Sequence, residues 1–240
     1  MSEIISTLSQ VSLGHYHFEM ALIFRDSSLI SKLVYSSEVW YNITNEQYTK
    51  LEEIDEMFMR KIFNLPRSAP RISLYAECGK IPVRYIIKTR RLLYYWHILN
   101  LEEKEILHKF YLGQKFKPSR NDWVLTIQKD MDEIGLLMTE KEVKEMSQEK
   151  FKAIVQSKIN VSVTKYLLSK RGSKTAQLKF DIQPSKYLFS KELNVEEIQT
   201  LFKLRTRTID VKENQESSFK NNMWCRTCCI VKESQQHIYL

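Results

Sequence analysis

Glycine and proline are scarce in this chain, five of each in 240 residues. β-Sandwiches and doubly wound α/β folds need turn residues at short intervals, so both architectures are disfavoured. Long apolar runs are missing too. None reaches the roughly 18 residues that a membrane helix requires. The nearest stretch, 20–39, is interrupted by Arg25, Asp26, Lys32 and Glu38. The first residues, 1–11, lack a basic n-region, so no secretory leader is read there. Cysteine is limited to Cys78, Cys225, Cys228 and Cys229, and three of these cluster near the C-terminus. A secreted disulfide framework spreads its cysteines along the chain, whereas clustering beside a histidine suits a metal. No phosphate-binding glycine loop and no Ser/His/Asp set is present. The expectation is a non-membrane protein located inside the cell, cytoplasmic or nuclear.

What is present points to helices. Hydrophobic residues make up 43% of the chain, enough for a sizeable core. The formal net charge is +8. A charge of this sign favours an acidic partner, of which nucleic acid is the commonest, although it also serves solubility.

The hydrophobic period predicts a helix over 17–41, with Asp26-Ser27-Ser28 as a point of interruption. Thr44 and Gln47 form a capping box for a second helix that Pro66 ends. Tyr48, Leu51, Ile54, Phe58 and Ile62 mark its apolar stripe, and Glu52, Glu53, Asp55 and Glu56 are expected to face away. A short helix over 71–78 should be capped by Gly79, and Pro82 opens another that runs to about residue 100. Further helices are expected over 102–112, from a cap at Ser119 or Asn121 to Gly135, after the Thr139/Glu142 capping box, and from Ser147 to about residue 170. Residues 113–118 read as a loop. The stretch 173–193 reads as a linker with room for a short strand. Asn194 and Glu197 open a last helix of about 16 residues, counted from the capping signature and its apolar period.

Two clusters of cations are candidate nucleic-acid contacts. The helix after Pro82 carries Arg84, Lys88, Arg90 and Arg91, with no acidic residue from Ile81 to Leu101. Arg84, Lys88 and Arg91 fall at i, i+4 and i+7 and share a face that would suit successive phosphates. Tyr85, Tyr94, Tyr95 and Trp96 are interleaved with them and offer stacking surfaces. The alternative is a solvated face over a core helix. The second cluster is Lys203, Arg205 and Arg207. Trp40 and Trp123 read as core, and His15, His17, His97 and His108 as surface or helix-face residues.

The candidate metal ligands are Cys225, Cys228 and His237. Two thiolates separated by two residues grip one Zn2+ in a tight turn, and the histidine supplies a third ligand. A structural zinc site is four-coordinate, so one ligand is absent. Only Ile238, Tyr239 and Leu240 follow His237.

In this spacing the tail resembles the zinc knuckle that follows the polymerase in non-LTR retrotransposon reverse transcriptases. The middle, Cys229 to Gln236, has the polar character of those knuckles, and the fourth ligand would fall at or just past position 241. Upstream, residues 20–30 are similar to the helical segment after the palm. Leu33-Val-Tyr-Ser-Ser-Glu-Val-Trp40 is similar to an L-x-Y-G-S-E-x-W signature, with Ser36 where glycine is usual. Residues 51–62, 79–85, 88–93 and 204–212 also fit. The resemblance covers about residue 14 to residue 240.

The resemblance implies a mainly α fold, an irregular helical bundle with a small, incomplete zinc-knuckle tail. It implies a thumb-like region over 1–115, a helical linker over 116–172, a linker with one basic helix over 173–222, and a truncated knuckle over 223–240. Such polymerases hold two Mg2+ on a palm Asp-Asp motif, and no Asp-Asp pair occurs in this sequence. The expected function is therefore non-catalytic binding of RNA or DNA, non-specific and salt-sensitive, by a fragment of a reverse transcriptase. Zinc is expected in an intact parent and not stably bound in this chain. The alternative is a helical protein–protein interaction module. That reading expects acidic side chains to cover the Arg84, Lys88 and Arg91 face.

Overall fold

The computed structural model describes residues 17–67, 69–117, 119, 122–170, 178 and 182–208. The fold is mainly α-helical, with no strand among the described residues. The helices are α1 (His17–Phe24), α2 (Asn45–Ile62), α3 (Arg71–Cys78), α4 (Val83–Leu99), α5 (Ile106–Phe116), α6 (Trp123–Ile134), α7 (Glu140–Lys144), α8 (Gln148–Ser169) and α9 (Val195–Arg205).

Local chemistry sets most helix ends. At α2, Thr44 N–H donates to Gln47 Oε1 at 2.8 Å and Gln47 N–H donates back to Thr44 Oγ1 at 3.2 Å. The same reciprocal box opens α7 at Thr139 and Glu142, and α9 at Asn194 and Glu197. Each arrangement satisfies amide groups that have no partner in the first turn. The helix expected over 17–41 is broken, since Arg25–Ile30 winds as a π turn at the Asp-Ser-Ser step. Two further expectations are corrected. The helix after α4 lies at 106–116 and runs through Gly113, so 113–116 is not loop. The N-cap of α6 is Asp122 rather than Ser119 or Asn121. Within the expected linker, Lys186–Phe189 is a 3-10 turn and no described residue is in a strand.

The chain divides into two compact units. Among the described residues, one falls within 17–24, 56–80 and 170–208, the other within 25–55 and 81–169. Each is therefore assembled from separated stretches of the chain.

In the first unit, three buried rings stack in series. Phe18 lies 4.9 Å from Phe63 with the planes 3° apart, and Phe63 lies 4.4 Å from Phe202. Phe24 and Phe58 pack beside each other at 6.0 Å. The end of α3 turns at Gly79, where φ is +59°. A Cβ there would lie 2.2 Å from Pro184 N, and Ser185 N–H donates to Glu77 O at 2.8 Å. Glycine is thus required at position 79 both by backbone hand and by close approach.

In the second unit, α4 packs against α5, α6, α7, α8 and the 3-10 turn Ser37–Val39. Ile30, Val34, Tyr48, Val83 and Ile87 form a buried cluster, with Trp40 packed partly buried against it. Helix α8 contributes Phe151, Val155, Ile159, Val163 and Leu167, all buried and four residues apart. By area, each such side chain contributes about 1.5–3 kcal/mol relative to exposure.

Candidate nucleic-acid interface

The cations singled out on α4 meet carboxylates within their own unit. Helix α2 supplies the first of these. Glu52, Asp55 and Glu56 are at most 1% exposed, so the expectation that the acidic residues of α2 face away holds only for Glu53, which is exposed. Arg84 forks onto Glu52 at 2.6 and 2.8 Å, and its guanidinium lies 5.4 Å from the Tyr166 ring centre and 5.6 Å from that of Tyr48. This hydrogen-bonded carboxylate reinforces the charge of Arg84. Asp55, also on α2, receives the buried Arg25 at 2.6 Å through both Nε and Nη2.

Helix α6 supplies the rest. Arg91, 1% exposed, donates to Asp130 Oδ2 at 2.7 Å and Oδ1 at 2.9 Å. It also donates to Tyr48 Oη at 2.9 Å and to Trp40 O at 3.2 Å. Lys88, 5% exposed, pairs with Glu133 and lies 3.8 Å from Asp130. Burial pushes the Lys88 ammonium down to about 8, against the opposing pull of Asp130. Burial likewise raises the Asp130 carboxyl, against Arg91 and Lys88, which lower it.

Arg84, Lys88 and Arg91 thus converge on one polar cleft of about 430 Å³, with Tyr48, Tyr85 and Lys129 on its walls. Arg90 points elsewhere, donating to Val34 O at 2.9 Å, and keeps 39% of its side chain exposed. The second predicted cluster belongs to the other unit. Arg205 holds Glu77 at 2.9 Å over the Tyr187 ring, while Lys203 is half-buried and Arg207 sits at φ +52°. His108, expected at a surface or on a helix face, sits on α5, is buried and donates from Nδ1 to Ile98 O at 3.1 Å.

A basic surface without carboxylate partners lies on α8, which the sequence reading did not single out. Lys150, Lys152, Lys158 and Lys165 are exposed, and none makes an ion pair among the described residues. Lys150, Lys158 and Lys165 stand at i, i+8 and i+15, within about 80° of the helix circumference at 3.6 residues per turn. Val161, 50% exposed, lies between Lys158 and Lys165, and Leu168, 46% exposed, follows Lys165 by about one turn. The signal was in the sequence: no acidic residue occurs from Lys150 to Phe180, a longer acid-free stretch than the one around α4.

The candidate zinc ligands Cys225, Cys228 and His237 lie outside the described residues. Among the described residues, no group of three or more His, Cys, Asp or Glu is placed to hold a metal ion, and no helix is long and apolar enough to cross a membrane. Comparison with protein-family models, curated proteins and solved structures finds no match.

Proposed function

We propose that this chain is a non-catalytic helical module that contacts the phosphate backbone of RNA or DNA through the lysine face of α8. The unpaired, exposed Lys150, Lys158 and Lys165 carry this reading. Ammonium groups free of carboxylate partners release counterions from phosphates on binding, whereas Arg84, Lys88 and Arg91 are already neutralised inside their unit. The likeness to the post-palm region of non-LTR reverse transcriptases gains support at Ser36. Its φ of +52° is a left-handed conformation, the kind of position at which glycine, usual in the signature, is favoured.

The test is fluorescence anisotropy of a labelled single-stranded RNA across salt concentrations. Replacing Lys150, Lys158 and Lys165 together by Ala should reduce the slope of log affinity against log salt by about 0.7 per lost contact. Lys50→Ala, whose ammonium already pairs with Glu46 at 2.8 Å, should leave the slope unchanged. A triple variant that binds as the parent does sinks the proposal.

Ser36→Gly gives an independent check on the signature. Relief of the left-handed backbone outweighs the added freedom of the unfolded chain, for a gain of about 0.5–1 kcal/mol by urea denaturation. A loss of stability would show that position 36 does not require glycine-like geometry.

A second reading, a helical protein–protein interaction module, is favoured by the carboxylates that cover the α4 cations. It stands if no RNA binding is measured at low salt.

A further inference from the structure

We infer that α5 is a self-association surface on which a second copy of this chain docks antiparallel, with the two-fold axis beside Phe110. Of the 11 residues in α5, only His108 and Tyr111 are buried. Ile106 and Phe110 are 67% and 65% exposed and line an open groove with Gly113 and Lys117. These four residues fall on one stripe of the helix. A Cβ placed on Gly113 would meet nothing within 4 Å, so the stripe carries a knob at Phe110 and a hollow at Gly113. Ile106 stands about 6 Å before Phe110 along the axis and Gly113 about 4.5 Å after it, at 1.5 Å per residue. Reversing the helix about Phe110 therefore lays Ile106 of each copy over Gly113 of the other.

Charge selects the occupant. Before the helix, Glu102 pairs with Lys104 at 2.6 Å, which leaves Glu103 and Glu105; at its end, Lys115 pairs with Glu140 at 2.7 Å, which leaves Lys117. Glu103 and Lys117 are seven residues either side of Phe110. A partner of one charge sign would satisfy one end of the stripe and repel the other. A second copy running in the opposite direction satisfies both ends with the same pair repeated twice, as an isologous contact demands. A helix of this length presents less than the ~800 Å² per partner of a standard interface, so the dimer is weak and forms with rising concentration.

Sedimentation velocity on the full chain from about 5 to about 200 µM brackets an affinity of the kind a contact of this size supports. Monomer should convert to dimer across that range. Phe110→Ser should raise the dissociation constant by about tenfold or more, as loss of a central aromatic anchor does. Glu103→Lys and Lys117→Glu should each weaken the dimer, and the double variant should restore it. Circular dichroism melts confirm that the variants fold, which the exposure of all three positions favours. A chain that stays monomeric overturns the inference. So does a dimer indifferent to Phe110→Ser, a charge swap without rescue, or amide protection of α5 that is independent of concentration, which would place a segment of the same chain on this face.

Discussion

Asp130→Ala should destabilise the protein by about 3–5 kcal/mol in urea denaturation, because it strands buried cations without their counter-charge. Asp130 is 3% exposed and accepts both hydrogen bonds from Arg91, itself 1% exposed, with the Lys88 ammonium 3.8 Å away. The size of the effect does not measure how much the pair stabilises the fold. Desolvating a carboxylate and a guanidinium costs several kcal/mol per ion, and their attraction roughly cancels that cost. The single substitution removes the attraction and leaves the desolvated Arg91 in place. Replacing both partners by apolar residues, Asp130→Leu with Arg91→Met, should therefore recover most of the loss. A single-variant loss under about 1 kcal/mol would show that water reaches the site, since exposed pairs contribute no more than that.

Phe63→Ala should cost about 3–5 kcal/mol, the range for deleting a buried phenyl group. Phe63 is fully buried between two other rings, 4.9 Å from Phe18 and 4.4 Å from Phe202. Those three rings come from the first, second and third stretches of their unit. The substitution thus opens a cavity and removes two ring–ring contacts of about 0.5–1.5 kcal/mol each. Phe63→Leu keeps most of the volume and should cost under half as much. Thermal or urea denaturation measures both, and a loss below about 2 kcal/mol for the alanine variant would mean that the stack collapses to fill the space.

Local features of the fold were legible in the sequence. The three capping boxes and the αL caps at Gly79 and Gly135 depend on residues within one turn of each other, and all five lie where the spacing puts them. The acidic residues of α2 read as facing away because a carboxylate beside an apolar stripe is usually solvated. What buries Glu52 and Asp55 is an arginine about 30 positions away in sequence, Arg84 for one and Arg25 for the other. Helical periodicity carries no record of such partners. The same gap explains the nucleic-acid candidates. Spacing placed Arg84, Lys88 and Arg91 on one face, and the structure keeps them together, but whether that face meets solvent or carboxylates is a tertiary property. The lysines of α8 stand beside a buried ladder that dominates its pattern, although the lack of acidic residues after Glu149 marks them. The register of α5 slipped because Gly113 reads as a stop signal and here sits inside the helix, on an exposed face where a missing side chain loses little packing.

The contact at Gly79 also bears on the order in which the chain can fold as it is made. Gly79 meets Pro184, and Phe63 meets Phe202, so the first unit closes only when residues far along the chain arrive. The second unit ends at Ser169 and is complete in sequence before either Pro184 or Phe202 has been added. Synthesis from the N-terminus therefore lets the second unit fold first, while Phe18 and Phe63 wait, already synthesised, for the third ring. Closing that long loop costs entropy that grows only logarithmically with its length.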